Sequence, residues 1–359
     1  MTNIMGTTFA IAGRCIGPSH PPYLIAEMSG NHNGDIGRAF ELLKAAKAAG
    51  ADAVKLQTYT ADTITIDHDG ADFRIDEGLW AGKTLYALYQ EAHTPWEWHR
   101  ELFARAHELG LTIFSSPFDE TAVDFLEELK VPAYKIASFE AIDLPLIRRV
   151  ATTGKPLIIS TGMANLEEIH EAVDAARSAG ANDLVLLHCV SGYPTPAAEA
   201  NLRTLPELAT RFGTIVGLSD HTTGTAVSIA AVALGASVIE KHFTLRRADG
   251  GPDATFSLEP EELADLASGC RIAWEALGSA GFERKPSEEA NIRFRRSLYV
   301  VEDIPPGECF TQQNVRSIRP GFGLPPKLLP QVLGRRAAKA LHRGEPLALD
   351  HISEKDHQP

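Results

Sequence analysis

The sequence predicts an α/β chain, a closed (β/α)8 TIM barrel followed by a small C-terminal module. Its 359 residues exceed one compact domain, and a barrel of this kind takes about 250 residues by itself, leaving room for one small extra unit. Eight short apolar runs alternate with amphipathic helical patterns, which is the rhythm of parallel β/α units. No G-x-G-x-x-G fingerprint opens any of these units, so a closed barrel is favoured over an open dinucleotide-binding sheet.

In chain order the strand candidates are YLIAEM, AVKLQTY, TIFSSPF, AYKIAS, PLIIST, LVLLHCV, TIVGLSD and SVIEKHF. Each is short, apolar and rich in β-branched or aromatic residues. Between them, segments such as RAFELLKAAKAAGA, HRELFARAHELG and LEEIHEAVDAARSAGA repeat apolar residues every three to four positions and close near a glycine, which predicts helices. One connection is much longer than a βα turn. Residues 60–95 carry Trp80, Tyr86 and Tyr89, with Trp96 and Trp98 just beyond, and a long βα loop at the catalytic end of a barrel is a lid or substrate wall. The same aromatics could equally form a private mini-core that holds the loop together.

After the last barrel helix, SAGFERKPSEEANIRFRRS turns polar and basic. The predicted division is a barrel over 1–280, a linker over 281–293 and a second unit over 294–359. Pro-Gly and Gly-Glu-Pro breakers in the second unit predict short strands and turns. Its size suggests a unit that needs docking to be stable.

Composition narrows the function classes. The net charge of −13 argues against nucleic-acid and membrane-surface partners. Screening over about 8 Å lets a few inward-facing lysines still set the potential of a pocket. Cys15, Cys189, Cys270 and Cys309 form no C-x-x-C pair, which fits reduced thiols rather than a zinc ribbon or disulfide framework. The start MTNIMGTTFAIAGR lacks the basic segment of a signal peptide, and no run reaches the roughly 18 apolar residues of a membrane span. A cytoplasmic protein is expected.

The chemistry-bearing residues sit where the strands end. Glu27, Lys55, Gln57, Ser115, Ser116, Lys135, Ser138, Glu140, Ser160, Ser191, Tyr193, Ser219, His221 and Glu240 to His242 all lie at carboxyl ends, which meet at one mouth in a barrel. A single serine there is commonly a helix N-cap. A lysine within an apolar strand needs an anion, because an unpaired buried ammonium costs several kcal/mol. Lys55 and Lys135 therefore call for a bound anion or for Glu27, Glu140 or Glu240. Two lysines with several hydroxyls suit a small polyanion such as a phosphate ester with a carboxylate. His221 and His242 end neighbouring strands and could share a cation completed by water or substrate oxygens. Two histidines do not close a zinc site, so a labile Mn2+ or Mg2+ is expected, Mn2+ being favoured by imidazole.

The motifs IAEMSGNHNGD, KLQTY, YKIASFE, ISTGMA, CVSGYPTP, GLSDHT, IEKHFTL and GPDATFSLEP closely resemble the sialic acid synthase family of nonulosonate-forming enzymes. Residues 294–352 look like its C-terminal antifreeze-like (SAF) domain. Within the family, the long loop and GGPDATFSLEP look most like the pseudaminic acid branch. The resemblance implies condensation of phosphoenolpyruvate with an open-chain N-acetylated amino sugar, with loss of phosphate. In that branch the sugar is 2,4-diacetamido-2,4,6-trideoxy-altrose; N-acetylneuraminate and legionaminate synthesis are the alternatives. Residue by residue, it implies that Lys55, Lys135, Ser138, Ser160, Ser191 and Ser219 hold phosphoenolpyruvate and that His221 and His242 bind the metal. Gln57, Tyr193, Glu140 and Asp253 match family positions near the sugar, and Glu27, Glu140 and Asp253 are catalytic candidates whose separate roles stay unassigned. As an aromatic residue, Phe256 would join the long loop in a sugar-binding wall suited to a 6-deoxy sugar. Arg319 in SIRPGFG matches an arginine that reaches the site of the other subunit in a domain-swapped homodimer. A non-catalytic sugar-binding or ice-binding protein is the alternative from another class; it would not need two lysines beside two histidines.

Overall fold

The structure, a computed structural model, describes residues 8–353. The first residues of the N-terminal stretch read for targeting, and the last of the C-terminal module, lie outside the described part. The chain divides into two compact units that part between Gly278 and Ser279.

The first unit opens with a hairpin that the sequence pattern did not predict. Strands β1 (Phe9–Ile11) and β2 (Arg14–Ile16) pair antiparallel. They are joined by Ala12 and Gly13, both at positive φ. Eight strands then close a barrel: β3 (Tyr23–Glu27), β4 (Ala53–Thr58), β5 (Thr112–Pro117), β6 (Tyr134–Ile136), β7 (Leu157–Ser160), β8 (Leu184–Cys189), β9 (Ile215–Asp220) and β10 (Val238–His242). All neighbours are parallel, and β10 returns to pair with β3.

Helix α1 (Ile36–Ala48) follows β3. The long connection after β4 holds two short helices, α2 (Ala61–Ile64) and α3 (Leu85–Ala92), before the regular helix α4 (His99–Glu108). The outer layer continues with α5 (Glu120–Glu128), α6 (Leu144–Ala151), α7 (Leu166–Ser178), α8 (Thr204–Phe212), α9 (Ala226–Ala233) and α10 (Pro260–Leu277). Asp35, Asp119, Asp143 and Asn165 cap helix N-termini by accepting backbone N–H groups. These caps stand after the strand ends, so the strand-end serines are free for other work.

The side-chain period of two sorts each strand. Leu24, Val54, Ile113, Ile159, Leu186, Val216 and Ile239 point outward into the core shared with the helices. Ile25, Ala53, Phe114, Ile158, Val185, Ile215 and Val238 point into the barrel. Ile11 and Ile16 of the hairpin join that inner cluster at 0% exposure, which closes the amino end of the barrel. The carboxyl end is the one left open.

The second unit has strands β11 (Ser297–Val300) and β12 (Val315–Ile318), paired antiparallel, and a short α-helix, α11 (Leu329–Val332). It has a buried core of its own, made of Leu298, Val300, Ile304, Phe310, Val315, Val332, Ala337, Leu341 and Leu347. Among the described residues no helix is long and apolar enough to cross a membrane.

Strands β9 and β10 approach closely at Gly217. A Cβ on Gly217 would lie 2.2 Å from the carbonyl oxygen of Val238 on the next strand and 2.7 Å from Leu187 Cδ2. Gly217→Val should therefore destabilise the first unit by at least about 1–3 kcal/mol, the usual cost of overpacking. Thermal unfolding checks this, and an unchanged Tm would show that β9 and β10 do not need the contact.

Candidate active site

Above the apolar inner layer, the inward positions become ionic. Glu27 and Lys55 are partners in the β3–β4 register, and Lys55 Nζ lies 2.5 Å from Glu27 Oε2 and 3.6 Å from Glu240 Oε1. Lys135 Nζ donates to Glu240 Oε1 at 3.2 Å, and Ser219 Oγ donates to the same oxygen at 3.2 Å. Lys55 also donates to Ser116 Oγ at 3.3 Å. Of the acids offered by the sequence, Glu27 and Glu240 thus hold the lysines. Glu140 stands apart, its Oε2 buried without a hydrogen-bond partner.

These four charges are all at least 96% buried, so their proton affinities are set by one another. Burial alone would pull the Lys55 ammonium down, but Glu240 and Glu27 together raise it. Burial likewise works against Glu240, and the positive charges of Lys135 and Lys55 overcome it and keep the carboxylate ionised. Burial prevails at Glu27, whose carboxyl is raised despite Lys55, and at Lys135, whose ammonium is lowered despite Glu240.

Serines complete the rim. Ser191 Oγ donates to Ser138 Oγ at 3.0 Å, and Ser160 Oγ is buried with no partner. None of the three caps a helix. Gly162 lets this edge close up, since a Cβ there would lie 2.4 Å from Ser138 Cβ and 3.0 Å from Ser191 Oγ.

His221 and His242 face each other at the ends of β9 and β10, with ring centroids 5.4 Å apart. His221 Nδ1 lies 2.9 Å from the Val190 carbonyl; a carbonyl only accepts, so this nitrogen carries the proton and Nε2 keeps its lone pair. His242 Nδ1 is buried without a hydrogen-bond partner, 3.6 Å from Asp253 Oδ2. Burial pushes both imidazoles below their ordinary value, His242 well below, so both are neutral at pH 7. Among the described residues no group of three or more His, Cys, Asp or Glu side chains is arranged to hold a metal ion. Two neutral imidazoles, one with an orphaned nitrogen, fit a cation that draws its other ligands from water or substrate rather than a closed structural site.

A cavity of about 300 Å³ opens beside this cluster. Gln57, Ser138, Glu140, Tyr193, His242 and Asp253 form its polar side, and Tyr59, Trp80, Leu88, Tyr89 and Phe118 its apolar side. Gln57 Nε2 donates to Glu27 Oε1 at 3.1 Å, which ties the cavity to the ionic floor. Ser29, a residue the strand-end survey did not single out, donates through its hydroxyl to Asp253. Burial still lifts the Asp253 carboxyl to about 6. Burial also lifts Glu140, to about 7.

The long loop divides between its two readings. Trp80 and Tyr89 belong to the cavity wall, and Trp80 Nε1 donates to the Pro252 carbonyl at 2.8 Å. Trp96 instead stacks on Phe125 at 4.8 Å, Trp98 meets His32 edge-on at 5.4 Å, and Tyr86 donates to Asp62. These three hold the loop and its root in place. Phe256 does not stand in the cavity wall; it is 2% exposed and packs behind His242 at 4.9 Å and Tyr193 at 5.4 Å. Arg319 is exposed, one residue beyond β12 in the second unit. Lys241, grouped with the mouth by its position, faces the opposite way. It pairs with Asp220 at 2.9 Å on the outer side of the sheet.

Comparison with known proteins adds an independent line. Residues 42–281 match the model of the NeuB family, and residues 295–353 match the SAF domain. The chain is 44% identical to pseudaminic acid synthase of Helicobacter pylori, covering 92% of this chain and 98% of that protein. It is 39% identical to N,N'-diacetyllegionaminic acid synthase of Legionella pneumophila, covering 94% of this chain and 96% of that protein. Among solved structures, it is similar to N-acetylneuraminic acid synthetase from Leptospira borgpetersenii in complex with citrate. That match has a TM-score of 0.72 and 30% identity, and covers 80% of this chain and 96% of the other.

The environment of Glu140 makes a pH-dependent prediction. Its folded value of about 7 exceeds the ordinary 4.5, so the folded state binds the proton more tightly. The stabilising contribution is full below about pH 4.5 and is lost as pH rises through 7, on the order of 3 kcal/mol. Glu140→Gln does not titrate, so it should gain stability over the parent as pH rises from 4.5 to 8. Urea unfolding at three pH values tests this, and a constant difference would refute the raised carboxyl.

Proposed function

The chain belongs to the NeuB family, and from that premise we propose that it is a pseudaminic acid synthase. It would join phosphoenolpyruvate to 2,4-diacetamido-2,4,6-trideoxy-altrose and release the nine-carbon acid and phosphate. The observation that carries this reading is the convergence of Lys55, Lys135 and the orphaned Ser160 hydroxyl beside two neutral histidines and a half-apolar cavity. A buried hydroxyl without a protein partner is open to a polar ligand or to water.

In the reaction, C3 of phosphoenolpyruvate bonds to the sugar aldehyde carbon, and the aldehyde oxygen takes a proton. Water adds to the phosphate-bearing carbon, whose bond to the phosphate oxygen then breaks to leave the keto acid. Lys55 and Lys135 supply positive charge to the phosphate and carboxylate, and Ser138, Ser160, Ser191 and Ser219 supply donors. His221 and His242 would hold a divalent cation, Mn2+ or Mg2+, which when bound polarises the aldehyde oxygen as a Lewis acid. Glu140, lifted to about 7, suits proton transfer near neutral pH. Glu27 keeps Lys55 in place and is a second acid/base candidate. Asp253, fixed by Ser29, orients the sugar with Gln57 and Tyr193.

The apolar wall supports a 6-deoxy sugar, whose methyl group replaces a hydroxyl. Identity points the same way, at 44% to the pseudaminic acid synthase and 39% to the diacetyllegionaminic acid synthase. One methyl is worth about 1–3 kcal/mol of discrimination, a preference of roughly 10- to 200-fold. Phosphate release from phosphoenolpyruvate, measured across a panel of N-acetylated hexoses, should give the highest kcat/KM with the diacetamido altrose. Equal or better kcat/KM with N-acetylmannosamine would move the protein to the neuraminate branch.

The active unit we propose is a domain-swapped homodimer in which Arg319 of one chain completes the site of the other. Arg319→Ala and Lys135→Ala should each be nearly inactive alone. Co-expression should recover roughly a quarter of parental activity, because half of randomly paired dimers are mixed and each mixed dimer has one sound site. Absence of recovery despite isolated mixed dimers would exclude the swap.

A further inference from the structure

Lys241 is a buried cation that the chemistry above does not use. It is 1% exposed and Asp220 is 3% exposed, and the two are register partners on the parallel strands β9 and β10. Because side chains alternate along a strand, their neighbours Ser219, His221, Glu240 and His242 face the barrel interior while these two face the helices. Lys241 Nζ donates to Asp220 Oδ2 at 2.9 Å and also to the Thr222 carbonyl. Asp220 in turn accepts the Thr222 backbone N–H at 2.8 Å and the Ser228 hydroxyl of α9 at 2.5 Å. The residues on both sides of His221 are therefore fastened to the residue that precedes His242. Stability alone does not explain this, because a well-packed apolar pair of similar volume is often as stable as a buried ion pair, or more so.

We propose that Asp220 and Lys241 form a positioning clamp that fixes the separation of His221 and His242 for a divalent cation. The proposal rests on the reading of the two histidines as cation ligands. Its logic is that of the outer partners of metal sites, which orient the ligands without touching the ion. The strands set the rung spacing, and the clamp removes the remaining freedom of the segment that carries His221 beyond the end of β9.

The test is a titration with Mn2+ alone, followed by the paramagnetic resonance signal of the free ion. It uses the full-length parent, Lys241→Met, and Asp220→Leu combined with Lys241→Met. The single variant leaves an uncompensated carboxylate and is the one prone to misfold; the double variant replaces the pair by apolar groups and keeps the fold measurable. The double variant should unfold cooperatively near the parental Tm yet bind Mn2+ at least about tenfold more weakly, the usual effect of losing an outer partner. Ser228→Ala, which removes one donor to Asp220 and leaves the ion pair, should give an intermediate Kd. A folded double variant with the parental Kd overturns the clamp. Failure of the parent to bind Mn2+, or binding untouched by His221→Ala, overturns the reading of the histidines and the clamp with it.

Discussion

Moving the ammonium groups of Lys55 and Lys135 from water into the barrel costs several kcal/mol each before any partner is counted. The fold answers with Glu27 and Glu240, contributed by strands β3 and β10, which become neighbours only when the barrel closes. Closure and charge compensation therefore depend on each other. The pairing also means that an anion arriving at the mouth finds lysines already engaged and must compete with two carboxylates for them.

Much of the fold was legible because strand periodicity and helical periodicity are strong local signals. YLIAEM through SVIEKHF mark the observed strands, and the carboxyl-end rule gathers Glu27, Lys55, Lys135, Ser160, Ser219 and His221 into one mouth. The hairpin of Phe9–Ile16 was not legible, since its three-residue strands are too short to show a period. Nor could composition say which acid serves which lysine. That choice depends on register: Glu27 sits directly beside Lys55, whereas Glu140 follows β6 on a turn that carries it toward the cavity. Lys241 shows the same limit. Its place between Glu240 and His242 suggested the mouth, yet alternation along the strand turns it outward, a phase that could have been read from the apolar positions of the same strand. Phe256 has the aromatic character expected of the wall, but it packs behind His242 and Tyr193, which line the cavity.

The two halves of the mouth divide the work by polarity. Its floor is ionic and hydroxyl-rich, and its outer wall is aromatic, supplied largely by the long connection after β4. Contacts that link the two include Gln57 to Glu27, Trp80 to the Pro252 carbonyl beside Asp253, and Trp80 against the Tyr193 ring at 5.7 Å. The wall can vary in sequence without disturbing the charge balance below, because loops tolerate substitution better than the strands that carry them.

Ile11 and Ile16 stop the amino end of the barrel with two fully buried side chains. The cavity lies at the opposite, carboxyl end. The hairpin that does the stopping also brings the start of the described chain to the far side of the barrel from the chemistry.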